Sequence, residues 1–137
     1  MKCMEWLEVY DVGVEEINKQ HRGLVRVTNK LFHAIMEDRG EELLYDILKE
    51  LEEYAAFHFD YEERLLREHE YPKELLERHI REHDKLKADV ADYIQRLEGR
   101  EVAMDLDLFA FLRDWTENHM RNTDMLYRDF FNARGVY

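Results

Sequence analysis

The chain has 137 residues, enough for one compact domain, and its 38% charged and 45% apolar composition with five glycines and one proline favours long helices. Acidic residues outnumber basic ones 32 to 20, a formal charge of -12, which excludes nucleic acid and an anionic membrane surface as partners because both require positive charge. The lone cysteine, Cys3, excludes an intramolecular disulfide, and no apolar run approaches the roughly 18 residues of a membrane span.

Residues 1–13 read as an N-terminal arm carrying Trp6, Tyr10 and Gly13. The arm lacks the apolar core of a signal peptide, so a cytoplasmic location is expected. Four helical patterns follow. Ile17, His21, Leu24, Thr28, Leu31 and Ile35 step by three and four along one face, up to the break at Arg39-Gly40. Leu44, Leu48, Leu51, Ala55, His58, Glu62, Leu65 and His69 form the second stripe, which Tyr71-Pro72 stops. Leu76, His79, His83, Leu86, Val90, Tyr93 and Leu97 form the third, ended by Gly99-Arg100. Leu108, Leu112, Trp115 and His119 open the fourth, which extends to about Asn132. The pattern predicts an all-α fold, an antiparallel up-down-up-down four-helix bundle over about residues 14–133, within a single domain spanning 1–137.

The chain has seven histidines, and five of them lie on these core stripes: His21, His58, His79, His83 and His119. Glu62 lies there too, whereas its neighbour Glu63 is assigned to the solvated face. Burying so many polar groups without partners would cost roughly 1–3 kcal/mol each. Their heights agree as well. In an antiparallel hairpin, residues equidistant from the turn lie level. His21 and His58 are equidistant from Arg39-Gly40. His58 and His83 flank Tyr71-Pro72 equally, as do Glu62 and His79. His83 pairs with His119, and His79 with Asp124, across the third break. The breaks come from glycine and proline alone, so the convergence on one layer is independent of them. His33 and His69 fall outside that layer, near the first turn and the bundle end.

The spacings suit metal. His58 and Glu62 are i, i+4, as are His79 and His83, so each pair points at one place. Imidazole with carboxylate suits iron, zinc, manganese or copper. Five histidines and two carboxylates are too many for one ordinary ion, and a carboxylate can bridge two. Asp124 lies five residues after His119, about 140° round a regular helix, and shares its site only if a π-bulge inserts one residue near 119–124. The apolar phase permits either reading, through Tyr127 and Phe131 or through Leu126 and Phe130.

The chain resembles the hemerythrins, and single-domain bacterial members in particular. The resemblance rests on Gly13 with Ile17-Asn18-Lys19-Gln20-His21, His58-Phe59-Asp60-Tyr61-Glu62, His79-Ile80-Arg81-Glu82-His83, and His119 followed by Asp124. It implies two iron ions with an oxo or hydroxo bridge inside the bundle. His79, His83 and His119 would hold one iron, His21 and His58 the other, and Glu62 and Asp124 would bridge. The second iron is then one ligand short, and dioxygen is the expected partner there. Reversible oxygen binding for transport, storage or delivery is the implied role. The alternatives are oxygen or redox sensing through a partner, and scavenging of peroxide or nitric oxide. No protein partner is identifiable. No histidine follows a glutamate by three residues, which argues against the oxygenase and ferritin patterns and for a binding protein over an enzyme. Leu24, Phe59 and Trp115 are expected to line an apolar oxygen pocket. Tyr127, one turn past Asp124, is expected to donate to a ligand carboxylate. Asn18, Thr116 and Arg121 depart from the family pattern.

Overall fold

A computed structural model describes residues 2–102 and 105–137. Its elements are α1 (Glu15–Met36), α2 (Glu41–Glu68), α3 (Lys73–Glu98) and α4 (Leu106–Asn118), with no strand among the described residues. The axis of α4 continues through a π-helical turn, His119–Thr123, a 3-10 turn, Asp124–Tyr127, and a short α5, Arg128–Asn132. Helix α1 packs against α2 and α4, and α2 against α3. The result is the expected all-α four-helix bundle. None of its helices is long and apolar enough to cross a membrane.

The helices stop where glycine and proline predicted, but the backbone reverses on other residues. Asp38, Glu70 and Arg100 take the left-handed conformation, at φ 51°, 57° and 57°, while Gly99 stays at -81°. After each, the chain bonds back to the last helical turn: Arg39 N–H to Ala34 O, Tyr71 N–H to Leu66 O, and Glu101 N–H to Arg96 O. These bonds satisfy carbonyls that a helix end leaves free. Asp105 caps α4 by accepting from the backbone N–H groups of Asp107 and Leu108.

The arm is pinned to both ends of the chain. Asp11 accepts from Gly13 N–H and from the Asn18 amide, and Asn18 in turn accepts from Val12 N–H. Asn18, a departure from the family pattern, therefore ties the arm to α1. Asn132 donates to Gly13 O. Gly13 has φ 74°, and a Cβ there would press on Asn132 and Arg128, so the crossing requires glycine twice over.

Apolar side chains form two main clusters along the bundle. One, toward the α1–α2 turn, holds Leu31, Leu48, Leu51, Phe59, Leu86 and Leu112. The other, toward the α2–α3 turn, holds Val12, Ile17, Leu66, Tyr71, Tyr127 and Phe131. The histidine layer lies between them. A third cluster, with Met4, Tyr10, Phe32 and Phe109, seats the arm against the outside of α1 and α4.

Candidate metal centre

All seven residues predicted to share a layer are buried together: His21, His58, Glu62, His79, His83, His119 and Asp124. All four legs of the bundle contribute. His21 comes from α1, His58 and Glu62 from α2, and His79 and His83 from α3; on the continuation of α4, His119 opens the π turn and Asp124 directly follows it. That turn decides the position of Asp124. Its N–H bonds to His119 O, an i to i+5 bond, which holds one extra residue in the turn and brings both side chains inward. The downstream phase follows: Tyr127 and Phe131 are buried, while Leu126 is half exposed.

The donor atoms fall into two groups. Glu62 Oε1 faces the Nε2 atoms of His79 and His83, the latter at 3.1 Å, and Glu62 Oε2 faces those of His21 and His58 at 3.5 and 3.4 Å. Asp124 repeats the division. Its Oδ1 lies 3.1 and 3.0 Å from Nε2 of His79 and His119, and its Oδ2 lies 3.1 Å from Nε2 of His21. Each carboxylate thus turns one oxygen to a three-histidine group and the other to a two-histidine group. Despite these approaches, both Asp124 oxygens and the Nε2 atoms of His21 and His58 lack well-formed hydrogen bonds. Buried polar atoms are normally satisfied, so these converge on shared points, as metal ligands do. Two overlapping sets of donors are close enough to hold an ion each: Glu62, His79, His83, His119 and Asp124, and His21, His58 and Glu62. The donor chemistry fits a dinuclear metal group.

Without metal, charge is shared between the imidazoles and carboxylates. Burial depresses His21, but Asp124 and Glu62 outweigh it and raise it to about 9. Burial likewise opposes His79, which Glu62 and Asp124 raise to about 10. His58 is lowered, chiefly by burial. Burial raises Glu62 and Asp124, yet the surrounding histidines hold both well below the usual carboxylate range.

Three of the five outward nitrogens follow a rule the sequence reading missed, while those of His21 and His79 have no partner. Gln20 on α1 accepts from His58 Nδ1 on α2 at 2.8 Å. Glu63 on α2 accepts from His83 Nδ1 on α3 at 2.8 Å. Glu82 on α3 accepts from His119 Nδ1 at 3.1 Å and from the Thr123 hydroxyl at 2.7 Å. Such partners fix the tautomer and aim of an imidazole. Every one is the chain neighbour of a ligand-type residue on the preceding helix. Glu63 therefore corrects the expectation that it faces solvent: it is 9% exposed and lies in the α2–α3 seam. A polar residue beside each inward one was the available signal. Tyr127 donates to Glu62 Oε2 at 2.8 Å, the carboxylate bond expected of it. Burial, with Asp124 and Glu62 nearby, raises its pKa well above the usual value and keeps it a donor.

Leu24, Phe59 and Trp115 line one small apolar cavity of about 30 Å³, with Val90 and Leu112 among its other walls. Phe59 stacks on His83 at 3.9 Å between ring centres and Trp115 on His119 at 4.5 Å, so the cavity abuts the layer. Thr116 joins its wall, whereas Arg121 is exposed and takes no part. His33 is exposed, and His69 lies at the C-terminal end of α2 beside Phe131.

The model of the hemerythrin HHE cation binding domain matches residues 12–130. A bacteriohemerythrin from Stenotrophomonas maltophilia is 30% identical over 133 residues, covering 97% of this chain and 84% of the relative. A myohemerythrin from Theromyzon tessulatum is 23% identical and covered to 90% on both sides. A solved wild-type hemerythrin superposes with a TM-score of 0.86 at 28% identity, over 93% of this chain and 97% of its own.

Proposed function

The chain belongs to the hemerythrin family, and on that premise we propose that it binds dioxygen reversibly at a di-iron centre, for transport, storage or delivery. His79, His83 and His119 would hold one iron and His21 and His58 the other, with Glu62 and Asp124 shared between them. One observation carries this reading: one oxygen of each carboxylate faces nitrogens of the His79–His83–His119 group, and the other faces nitrogens of the His21–His58 group. The two-histidine side offers one histidine fewer than the other. A di-iron pair held by these residues would supply the two-electron chemistry that reversible dioxygen binding needs.

The chain's own residues favour return over turnover. Tyr127 holds Glu62 by a buried hydrogen bond and keeps its own proton. Leu24, Phe59 and Trp115 give the adjoining cavity a mostly apolar lining, which disfavours water and the protons that would release a reduced oxygen product. The reading is of a binding protein, not an enzyme.

Oxygen equilibrium measurements on the iron-reduced protein, followed by stopped-flow autoxidation, test the proposal. Binding and release over many cycles is expected, and rapid irreversible oxidation would defeat the carrier role. The metal assignment has its own arm: His79→Ala with His83→Ala abolishes the dinuclear site, and two irons retained per chain would refute it.

A further inference from the structure

The two histidine groups differ in what stands behind them. In the three-histidine group, His83 and His119 each donate their outer N–H to a carboxylate, Glu63 and Glu82, while His79 Nδ1 has no hydrogen-bond partner. In the two-histidine group, His58 meets only the neutral amide of Gln20, and His21 Nδ1 has no hydrogen-bond partner. The amide is itself held in place. Gln20 donates to Glu16 at 3.2 Å, so its oxygen is the atom left for His58. Tyr54 donates to the Gln20 backbone carbonyl at 2.9 Å. It reaches there only because residue 23 is glycine, where any Cβ would collide with the Tyr54 ring and hydroxyl.

Arg67 stands 3.9 Å from Glu63 and Arg78 stands 3.5 Å from Glu82. An imidazole that donates to a carboxylate is more electron-rich at its other nitrogen than one that donates to an amide. Glu62 and Asp124 serve both groups, so their contribution does not distinguish them. The difference comes from the outer partners together with the extra histidine.

We propose that Glu63 and Glu82 are positioning residues that make the three-histidine group the tighter of two metal sites, so that divalent ions load in order, His79–His83–His119 first and His21–His58 second. This rests on the reading of the layer as a two-metal site. The consequence is a protein that assembles its centre stepwise, with the weaker, amide-backed site filled last and emptied first.

Calorimetric titration of the metal-free protein with Co²⁺ tests it, with the cobalt absorption spectrum reporting each step. The parent is expected to take up two ions in two resolved steps, and His58→Ala to weaken only the second. Glu63→Gln and Glu82→Gln keep a hydrogen-bond acceptor but remove the charge. Each should weaken the first step roughly 10–100-fold and spare the second. Gln20→Glu should tighten the second step and narrow the gap, a gain that misfolding cannot imitate. Unchanged steps in both glutamine variants, or no tightening with Gln20→Glu, would overturn the proposal. A parent that binds fewer than two ions would overturn the two-metal reading itself, and this inference with it.

Discussion

The bundle is packed differently on the two sides of its histidine layer. Toward the α1–α2 turn, Phe59 and Trp115 lie flat on ligand-type imidazoles and still leave a small apolar cavity with Leu24, Val90 and Leu112. Toward the α2–α3 turn the packing closes. Ile17, Leu66, Tyr127 and Phe131 are completely buried, and the Tyr127 hydroxyl fastens that side to Glu62. Both sides are apolar, so hydrophobicity does not distinguish them. The difference is free volume. The cavity side has room for a small neutral molecule, whereas on the opposite side Tyr127 holds the Glu62 carboxylate.

Under the proposed function, removing iron should give the largest effect, because the buried imidazoles and carboxylates of the layer lose the ions they share. An ion that binds only the folded chain adds about 4 kcal/mol when free ion is 1,000 times its Kd. The loss should depend on pH. In the metal-free protein His21 and His79 titrate at about 9 and about 10, against about 6.5 when unfolded. Their raised values add stability that is complete below pH 6.5 and disappears as pH rises through 9 to 10. Glu62 and Asp124 are depressed, so their contribution is present above about pH 4 and is lost as pH falls through their lower folded values. Melting temperatures of the metal-free protein should therefore fall between pH 7 and 10. The iron-loaded protein should lack that fall, since ions replace the protons. Parallel curves with and without iron would break this account.

Single substitutions sharpen the contrast. Phe131→Ala on the closed side should cost about 3–5 kcal/mol in urea denaturation, the usual penalty for emptying a filled aromatic site. Tyr127→Phe removes a hydrogen bond to a buried carboxylate and should cost about 1.5–3 kcal/mol, with the volume almost unchanged. The smallest effect on stability belongs to the cavity side. Val90→Ile adds one methylene beside the cavity and should leave stability within about 1 kcal/mol of the parent. Under the proposed function it should nevertheless slow oxygen association, measured by stopped flow. If Val90→Ile destabilises as much as Tyr127→Phe, the two sides are equally tight and the comparison fails.

The layer was legible in the sequence because its causes are local. Helical phase puts His21, His58, His79, His83 and His119 on core faces, and Gly and Pro place the turns that set their heights. Asp124 was legible only as a choice between two phases. Leu126 and Phe130 continue the regular phase as plausibly as Tyr127 and Phe131 continue the shifted one. Glu63 was misread because a residue next to an inward one is turned by about 100° and counts as outward on an isolated helix. In the bundle that direction faces the neighbouring helix.

Composition, periodicity and breaker positions determined the four helices, the acidic exterior and six polar residues that meet at one level, the five histidines and Glu62. These depend on residues close together in the chain. Only the tertiary structure decided the rest: the π turn that brings Asp124 inward, the outer partners Gln20, Glu63 and Glu82, and the free volume beside Trp115. Each depends on the distance between side chains on different helices, which no single-helix pattern encodes.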